Sequence, residues 1–321
     1  MRRPRFGGWI VGVWLLLQAS PALSATLLFL SDRETPLFQA WSRDARFVSM
    51  TPVTLPPPGA GNALHGFLAA TRLRPAHVAK PSDSWADLCQ RQRVQGVVVM
   101  GDEAARAVLQ ACSLPTLIVG TPYQQVTPLL ADTRRTPVSA IYLEAEPLLN
   151  LRLARALLPA ARTLGVLVPT PAPAWLVPLR AEAHRLDFAL DEIAATDDLG
   201  AVRALRPRLA GLDAVLLPPD ATVINEWSLK PLLLMTLRQG VPTFGGSTAR
   251  YVDAGVLAAV VADEARLPAQ IETVVAELAR GRAPAPAYPA AVRVAVNPTV
   301  AHTLGLAAEA VERARSLFSR P

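Results

Sequence analysis

The sequence predicts an α/β protein of two Rossmann-like lobes, each with a parallel sheet covered by helices. Continuous β-branched apolar runs alternate with segments of helical spacing, which is typical of a parallel sheet buried on both faces. The alternation is interrupted at residues 120–140 and then begins again. A chain of 321 residues is natural for two lobes of ordinary size but long for a single core.

The first series of elements opens with an apolar strand at residues 26–30. A βαβ unit follows, with a strand at 94–100, a helix at 103–112 and a strand at 115–119. Residues 51–61 contain four prolines. Because proline donates no N–H, that segment can hold neither a helix nor a central strand, and we interpret it as a surface loop.

The second series follows a long helix predicted at residues 144–158. Its strands and helices alternate regularly, as a second parallel sheet requires. The predicted elements are strand 164–168, helix 175–186, strand 188–193, helix 199–209, strand 214–217, helix 225–238 and strand 241–244.

Three further elements are predicted after these two series, namely strand 256–261, helix 264–280 and strand 292–296. They are too few for a third domain, so we expect them to complete the two sheets. The chain then crosses between the lobes more than once, near residues 120–140, 245–250 and 281–291. The expected division is residues 25–120 plus 250–285 in lobe 1 and residues 140–245 plus 290–321 in lobe 2.

Residues 1–24 have the pattern of a cleavable secretory signal peptide. Three arginines precede an apolar run at 9–17, and small residues follow at Ser24 and Ala25. The apolar run is too short to span a bilayer. An uncleaved N-terminal anchor is the alternative. Export would place the mature protein in the periplasm, where Cys89 and Cys112 either form a disulfide or remain buried thiols.

Charge and motif content argue against nucleic-acid binding and against catalysis. Removing residues 1–24 takes away three arginines and no acids, so 29 basic residues face 26 acidic ones, and no basic stripe is interleaved with aromatics. The sequence has no Walker, dinucleotide or nucleophile-elbow motif. Its four histidines lie far apart in the chain. We therefore expect a monomeric binding protein with neither a metal nor another cofactor.

Short motifs of the C-terminal two-thirds occur in an ordered series. They are Leu157-Leu158-Pro159, Thr163-Leu164-Gly165-Val166-Leu167, Leu212-Asp213-Ala214-Val215-Leu216, Pro218-Pro219-Asp220, Gly240-Val241-Pro242-Thr243-Phe244, Asp253-Ala254-Gly255-Val256-Leu257-Ala258, Gly281-Arg282-Ala283-Pro284, Val296-Asn297, Ala301 and Leu304-Gly305-Leu306. In this order they resemble the ABC-transporter substrate-binding proteins related to the tryptophan- and tyrosine-binding ones. That resemblance implies the type I periplasmic binding fold.

The N-terminal third departs from that family at one loop. The family usually has a Gly-rich segment and an Asp-Pro pair after the strand that ends here at Val119-Gly120, whereas this chain has Thr121-Pro122-Tyr123-Gln124-Gln125. The family's loop faces the ligand cleft. The resemblance therefore implies a shared fold but does not require a shared ligand. For the ligand class, the resemblance suggests an aromatic or branched amino acid.

Candidate ligand-binding residues follow from the rule that open parallel sheets bind ligands beyond the carboxyl ends of their strands. Small residues there admit a ligand to the backbone, hydroxyls and carboxylates bond it, and aromatic rings stack on it. The predicted site residues are Asp32, Gly101, Asp102, Glu103, Thr121, Tyr123, Thr170, Trp175, Asp220, Thr222, Gly246 and Ser247.

Structural roles are the alternatives at several of these positions. Asp102 and Asp220 are equally suited to capping the helices that follow them. Tyr123 and Trp175 are equally suited to packing inside a lobe. The segment from Gly246 could serve as a hinge turn.

Two functions fit the predicted fold. The first is capture of a small molecule in the periplasm for an ABC permease in the inner membrane. The second is ligand-dependent signalling to a membrane sensor without transport. Both use the same cleft, so a neighbouring permease and ATPase gene pair would favour the first and an adjacent sensor-kinase gene the second.

Overall fold

The computed structural model describes residues 9–15, 26–31, 50–55, 94–131 and 137–318. It divides into two compact units, each built around one six-stranded sheet. Unit 1 comprises Met1–Tyr142 and Glu264–Ala287, and unit 2 comprises Leu143–Asp263 and Tyr288–Pro321. The predicted α/β class with parallel sheets is confirmed.

The strands of the described ranges are numbered in chain order. They are β1 (Trp9–Leu15), β2 (Thr26–Ser31), β3 (Met50–Leu55), β4 (Val94–Met100), β5 (Thr116–Thr121), β6 (Val138–Tyr142), β7 (Thr163–Pro169), β8 (Ala189–Ala195), β9 (Ala214–Leu217), β10 (Thr243–Gly245), β11 (Ala258–Ala262) and β12 (Val292–Val296).

The α-helices of the same ranges are numbered likewise. They are α1 (Asp102–Ala111), α2 (Tyr123–Ala131), α3 (Leu148–Leu157), α4 (Leu176–Arg185), α5 (Asp198–Leu205), α6 (Glu226–Arg238), α7 (Ala249–Asp253), α8 (Leu267–Ala279), α9 (Pro298–Thr303) and α10 (Ala308–Phe318). A 3-10 helix, Arg206–Gly211, follows α5 directly. Both α9 and α10 lie beyond the last element that the sequence predicted.

The sheet of unit 1 has the strand order β3-β1-β2-β4-β5-β6. Strands β2, β4, β5 and β6 run parallel, whereas β1 runs antiparallel to both of its neighbours, β2 and β3. One face of this sheet packs on the later helix α8. The buried residues of that core are Val98, Met100, Leu117, Val119, Ile141, Leu267, Ile271, Val275 and Leu278.

Two expectations for unit 1 were wrong. Residues 51–55, the start of the segment interpreted as a surface loop, belong to β3, and Pro52 is tolerated because β3 lies at the edge of the sheet. Residues 120–140, interpreted as a crossover between lobes, instead contain α2 and most of β6. The chain passes to unit 2 only after Tyr142.

The second passage between units also differs from the expected position. It follows Asp263 rather than residues 245–250, and the third follows Ala287, inside the expected range 281–291. Residues 250–263 therefore belong to unit 2. The reason is strand pairing, because β11 continues the sheet of unit 2 beside β10.

The sheet of unit 2 has the strand order β12-β11-β10-β9-β7-β8. All of its strands run parallel except β12, which pairs antiparallel with β11. Apolar side chains from β9 and from helices α5 and α6 form a continuous core with those of β7 and β11. The sheet thus holds the carboxyl ends of β7, β9 and β10 side by side.

In β11 of this sheet, one backbone N–H donates to a side chain instead of a neighbouring strand. In the β10–β11 register Phe244 lies beside Ala258, so the place beside Val260 would fall to Gly246, where β10 has already ended. The Oδ1 atom of Asn150, on α3, accepts a hydrogen bond from the Val260 N–H at 2.8 Å instead. Asn150 is buried, so this bond forms away from solvent.

Helices α3 and α4 are joined by a carboxylate between two arginines. Glu182 accepts hydrogen bonds from the Nε atom of Arg152 at 2.6 Å, and from the Nε and Nη2 atoms of Arg185 at 2.9 and 2.6 Å. These bonds, with that of Arg185 the larger contribution, lower the pKa of Glu182 to about 2. The side chain of Glu182 is 8% exposed, whereas the arginines are about half exposed.

We expect the substitution Glu182→Gln to destabilise unit 2 by about 1 kcal/mol at neutral pH, since solvent around the half-exposed arginines weakens the ion pairs. A carboxyl group with a lowered pKa stabilises the fold above its unfolded pKa of roughly 4.3 and loses that contribution as the pH falls. The difference from wild type should therefore shrink between about pH 5 and pH 2. Urea unfolding at several pH values measures it, with Glu312→Gln, in an exposed pair with Arg315, as the control. A difference that did not change with pH would contradict the ionic role.

Cys112 is disulfide-bonded. Cys112 is buried directly after α1. The chain's other cysteine, Cys89, lies outside the described residues, so its pairing with Cys112 stays a prediction.

Strand β1 falls inside the segment predicted to be a signal peptide, residues 1–24. Its backbone pairs along its length with β2 and β3. Cleavage after residue 24 stays a prediction. No helix in the described ranges is long and apolar enough to cross a membrane.

Candidate functional site

Asp220 begins a tight turn beyond the carboxyl end of β9. Its Oδ1 atom accepts hydrogen bonds from the backbone N–H and the hydroxyl of Thr222, at 2.9 and 2.6 Å. The next helix, α6, is capped by Asn225, whose side chain accepts from the N–H groups of Trp227 and Ser228. The alternative that Asp220 is the helix cap is therefore wrong. Asp220 is 9% exposed, so a carboxylate is buried at the sheet edge.

Tyr251 connects the Asp220 turn to the loop after β10. Its hydroxyl donates to the carbonyl of Ile224 at 3.2 Å and also hydrogen-bonds with the Ser247 side chain. Its ring lies against Gly246, where an added Cβ would come within 2.5 Å of the ring. Predicted site residues Asp220, Gly246 and Ser247 are thus brought together around Tyr251, a residue that the sequence analysis did not select. We call these four residues the Tyr251 cluster.

The pKa of Tyr251 is raised by its surroundings in this cluster. Burial of the phenol raises its pKa, the Ser247 hydrogen bond opposes that rise, and the negative charge of Asp220 adds to it. Asp220 is therefore close enough to act on the Tyr251 hydroxyl. The carboxylate of Asp220 and the two hydroxyl oxygens together offer acceptors to a cationic group.

Gly246 is required at its position for two reasons. Its φ of +92° is unfavourable for other residues, and a Cβ would collide with Tyr251. We expect Gly246→Ala to destabilise the protein by about 1–2 kcal/mol from the backbone alone. The matched control is Gly240→Ala, because Gly240 has a φ of +68° and open space around its Cβ position.

Denaturant unfolding of both glycine variants separates the two effects. A larger loss in Gly246→Ala than in Gly240→Ala measures the displacement of Tyr251. Equal losses in the free energy of unfolding would show that the Tyr251 ring moves aside at no cost. The contact between Gly246 and Tyr251 would then not define the site.

Three further predicted residues of unit 2 are not members of the Tyr251 cluster, namely Thr222, Thr170 and Trp175. Thr222 is exposed beside Asp220. Thr170 is exposed after β7, and its bond to Pro171 is cis. Trp175 is 6% exposed at the start of α4, which agrees with packing inside the unit. Ligand contact by Trp175 and Thr170 stays a prediction.

In unit 1 the predicted residues follow the adjacent strands β4 and β5. Gly101 donates its N–H to the Oγ1 atom of Thr121 at 3.2 Å, which ties the two strand ends together. Gly101 is the residue at the N-cap of α1, so the expectation that Asp102 caps this helix was wrong. Asp102 and Glu103 lie in the first turn, where two acids disfavour the binding of a ligand anion at the helix start.

An aromatic pair lies beside this edge of unit 1. The ring of Tyr123, at the start of α2, meets that of Tyr142, at the end of β6, edge to face with centroids 5.2 Å apart. Tyr142 is buried, while Tyr123 is half-buried. The half-buried ring can present an apolar surface and a hydroxyl at the same edge. Sequence reasoning selected Tyr123 and missed its partner.

The last of the predicted ligand-binding residues, Asp32, comes directly after β2. Asp32 lies outside the described residues. Within the parts of the chain that the structure describes, no group of three or more His, Cys, Asp or Glu side chains is placed to hold a metal ion.

The sequence matches no protein-family profile and no curated protein. Solved structures do resemble it. A conserved domain protein from Vibrio cholerae has a TM-score of 0.53 at 17% identity over 71% of this chain and 80% of its own. An ABC domain in complex with L-Trp from Streptococcus pneumoniae has a TM-score of 0.52 at 18% identity over 71% and 82%.

A third similar structure is a ligand-free, open substrate-binding protein with adhesive properties from Clostridium difficile. It has a TM-score of 0.53 at 17% identity, over 70% of this chain and 77% of its own. At these identities the likeness establishes the fold, which is that of the type I periplasmic binding proteins. The fold that the sequence motifs implied is therefore confirmed.

Proposed function

We propose that this chain is an exported solute-binding protein that captures a small molecule at the carboxyl ends of its parallel strands. The Tyr251 cluster carries the proposal, because it gathers a buried carboxylate and two hydroxyls where parallel sheets bind ligands. The fold supports it, since two of the similar structures are an ABC domain in complex with L-Trp and a substrate-binding protein. The partner would be an ABC permease of the inner membrane.

The disulfide of unit 1 supports the proposed periplasmic location. Structural disulfides persist in oxidising compartments and are rare in the cytoplasm. The bridge at Cys112 therefore agrees with the leader predicted for residues 1–24. N-terminal sequencing of the protein from the periplasm should begin at Ala25 or Thr26, and membrane-bound protein that kept Met1 would refute cleavage of the leader.

An amino acid or a similar compound is the first candidate ligand. Asp220 is suited to the ammonium group of such a compound. Native mass spectrometry of the purified mature protein, followed by calorimetric titration with the compound that co-purifies, tests this proposal. Recovery of the compound unchanged supports binding, whereas its conversion would indicate an enzyme. If none of the amino acids binds, amino acids are rejected as the ligand class.

A further inference from the structure

Helix α6 carries apolar side chains on its outward face as well as on its buried one. Its buried residues are Ser228, Leu232, Leu233 and Thr236. On the outward face Trp227 is 75% exposed and Leu234 is 48% exposed. Large apolar side chains that lie together in water mark interaction surfaces, so this face calls for a partner.

The outward residues of α6 form one row. Its members are all exposed, and they are Trp227, Pro231, Leu234 and Arg238. They follow each other at intervals of four, three and four residues. Since an α-helix has about 3.6 residues per turn, this spacing keeps the row in a narrow stripe about 16 Å long.

The spacing of this row is the same when it is read from either end. An antiparallel second copy of α6, related by a two-fold axis between Pro231 and Leu234, therefore places Pro231 opposite Leu234 twice. At each end it places Trp227 opposite Arg238, where a guanidinium group can stack on the indole ring. A two-fold interface requires a surface that is complementary to itself, and this row has that property.

Charge also favours a second copy in the antiparallel direction. Glu226 is exposed next to Trp227, so the antiparallel copy brings its carboxylate close to the oppositely charged Arg238. Among the described residues of the single chain, none forms an ion pair with Glu226 or Arg238. A parallel copy would instead bring like charges together. An anionic lipid surface would attract Arg238 but repel Glu226.

A side chain of the neighbouring helix α5 extends the apolar face. Asp198 accepts a hydrogen bond from the Nδ2 atom of Asn225 at 3.3 Å, which joins the first turn of α5 to the start of α6. Leu199, next to Asp198, is 62% exposed. The surface is nevertheless narrow, and interfaces at the small end of the size range form transient complexes. We therefore expect a dimer that depends on protein concentration.

We propose that the outward face of α6 is a self-association surface, on which a second copy of this chain docks antiparallel. Trp227 and Arg238 form its main contact, and tryptophan and arginine are enriched among the residues that dominate the energy of interfaces. A dimer would replace the monomer expected from the sequence. The surface contains none of the residues of the Tyr251 cluster, so it does not depend on the proposed solute binding.

Sedimentation equilibrium of the purified, ligand-free protein tests this surface. The wild type should pass from the mass of one chain to that of two as its concentration rises. Trp227→Ala should raise the dissociation constant of the dimer by about 30-fold or more, because truncation of a central aromatic residue has such an effect at other interfaces. The matched control is Leu317→Ala, which removes a side chain 63% exposed on α10 and should leave the dissociation constant unchanged.

An exchange of charges tests the antiparallel pairing. Glu226→Arg and Arg238→Glu should each weaken the dimer. The double variant should associate more tightly than either single variant, because each end of the interface again joins opposite charges. A double variant as weak as the single ones would overturn the antiparallel pairing.

Two results would overturn the surface itself. One is a dimer that Trp227→Ala leaves intact. The other is a wild-type protein that stays monomeric up to millimolar concentration, and binding of that monomer to phosphatidylglycerol vesicles would assign the face to the membrane instead. Thermal unfolding checks the fold of each variant, and Leu234→Ala, in the middle of the same row, replaces Trp227→Ala if that variant unfolds early.

Discussion

Replacing Asp220 by asparagine is expected to weaken ligand binding by about 10- to 150-fold if the carboxylate bonds a cationic group of the ligand, as charged hydrogen bonds contribute about 1.5–3 kcal/mol. Asparagine keeps the Oδ1 acceptor that Thr222 uses, so the turn should survive. Calorimetric titration with the co-purifying compound measures the loss, and thermal unfolding checks the fold.

Two further measurements separate the charge of Asp220 from its structural role. Because that charge raises the pKa of Tyr251, ultraviolet titration of Asp220→Asn should show this tyrosine ionising at lower pH than in wild type. Tyr123→Ala tests the aromatic residue of unit 1 in the same titration, and weaker binding would assign this ring to the ligand. Wild-type affinity in both variants would reject the assigned residues, and early unfolding of both would make them structural.

Loss of the disulfide is expected to destabilise unit 1 by roughly 3 kcal/mol. A bridge from Cys112 to Cys89, as the sequence analysis expects, would close a loop of about two dozen residues and restrict the unfolded chain accordingly. For a unit of this size, the melting temperature should fall by about 6–12 °C in the double variant Cys89→Ser with Cys112→Ser.

Reduction provides the matched comparison for that variant. A reducing agent should lower the melting temperature of wild type by the same amount as the double substitution does. It should leave the melting temperature of the double variant unchanged. Unit 2 contains no cysteine, so a calorimetric transition that belongs to unit 2 serves as the internal control. Equal melting temperatures with and without the bridge would contradict the expected stabilisation.

Most of the fold could be predicted because buried parallel strands leave a direct mark on the sequence. β4, β9 and β12 have the predicted bounds, since each is a compact apolar run between turn or helix signals. Prediction failed where local composition opposed the structure. β3 contains a proline at an edge, and α2 contains Pro128 next to Thr127, two residues of low helix propensity.

The candidate site could be predicted in part, from the position of residues along the chain. The rule of strand ends selected Asp220, Gly246 and Ser247, which the structure brings together at Tyr251. Tyr251 follows Ser247 by four residues in the sequence, so its chemistry was visible there. Its contact with Gly246 was not, because it depends on the turn that leads into α7.

The short strand β10 has a mechanical consequence through Asn150. Because β10 ends at Gly245, the chain is free to form the loop of the Tyr251 cluster, and β11 keeps its Val260 bond only through α3. Hydrogen exchange at the Val260 amide therefore reports the docking of α3 rather than the pairing of strands. The second passage leaves β11 for unit 1, and the third returns from unit 1 to β12. The β11–β12 pair is joined to β10 by one residue pair, and the Asn150 bond adds an attachment to α3.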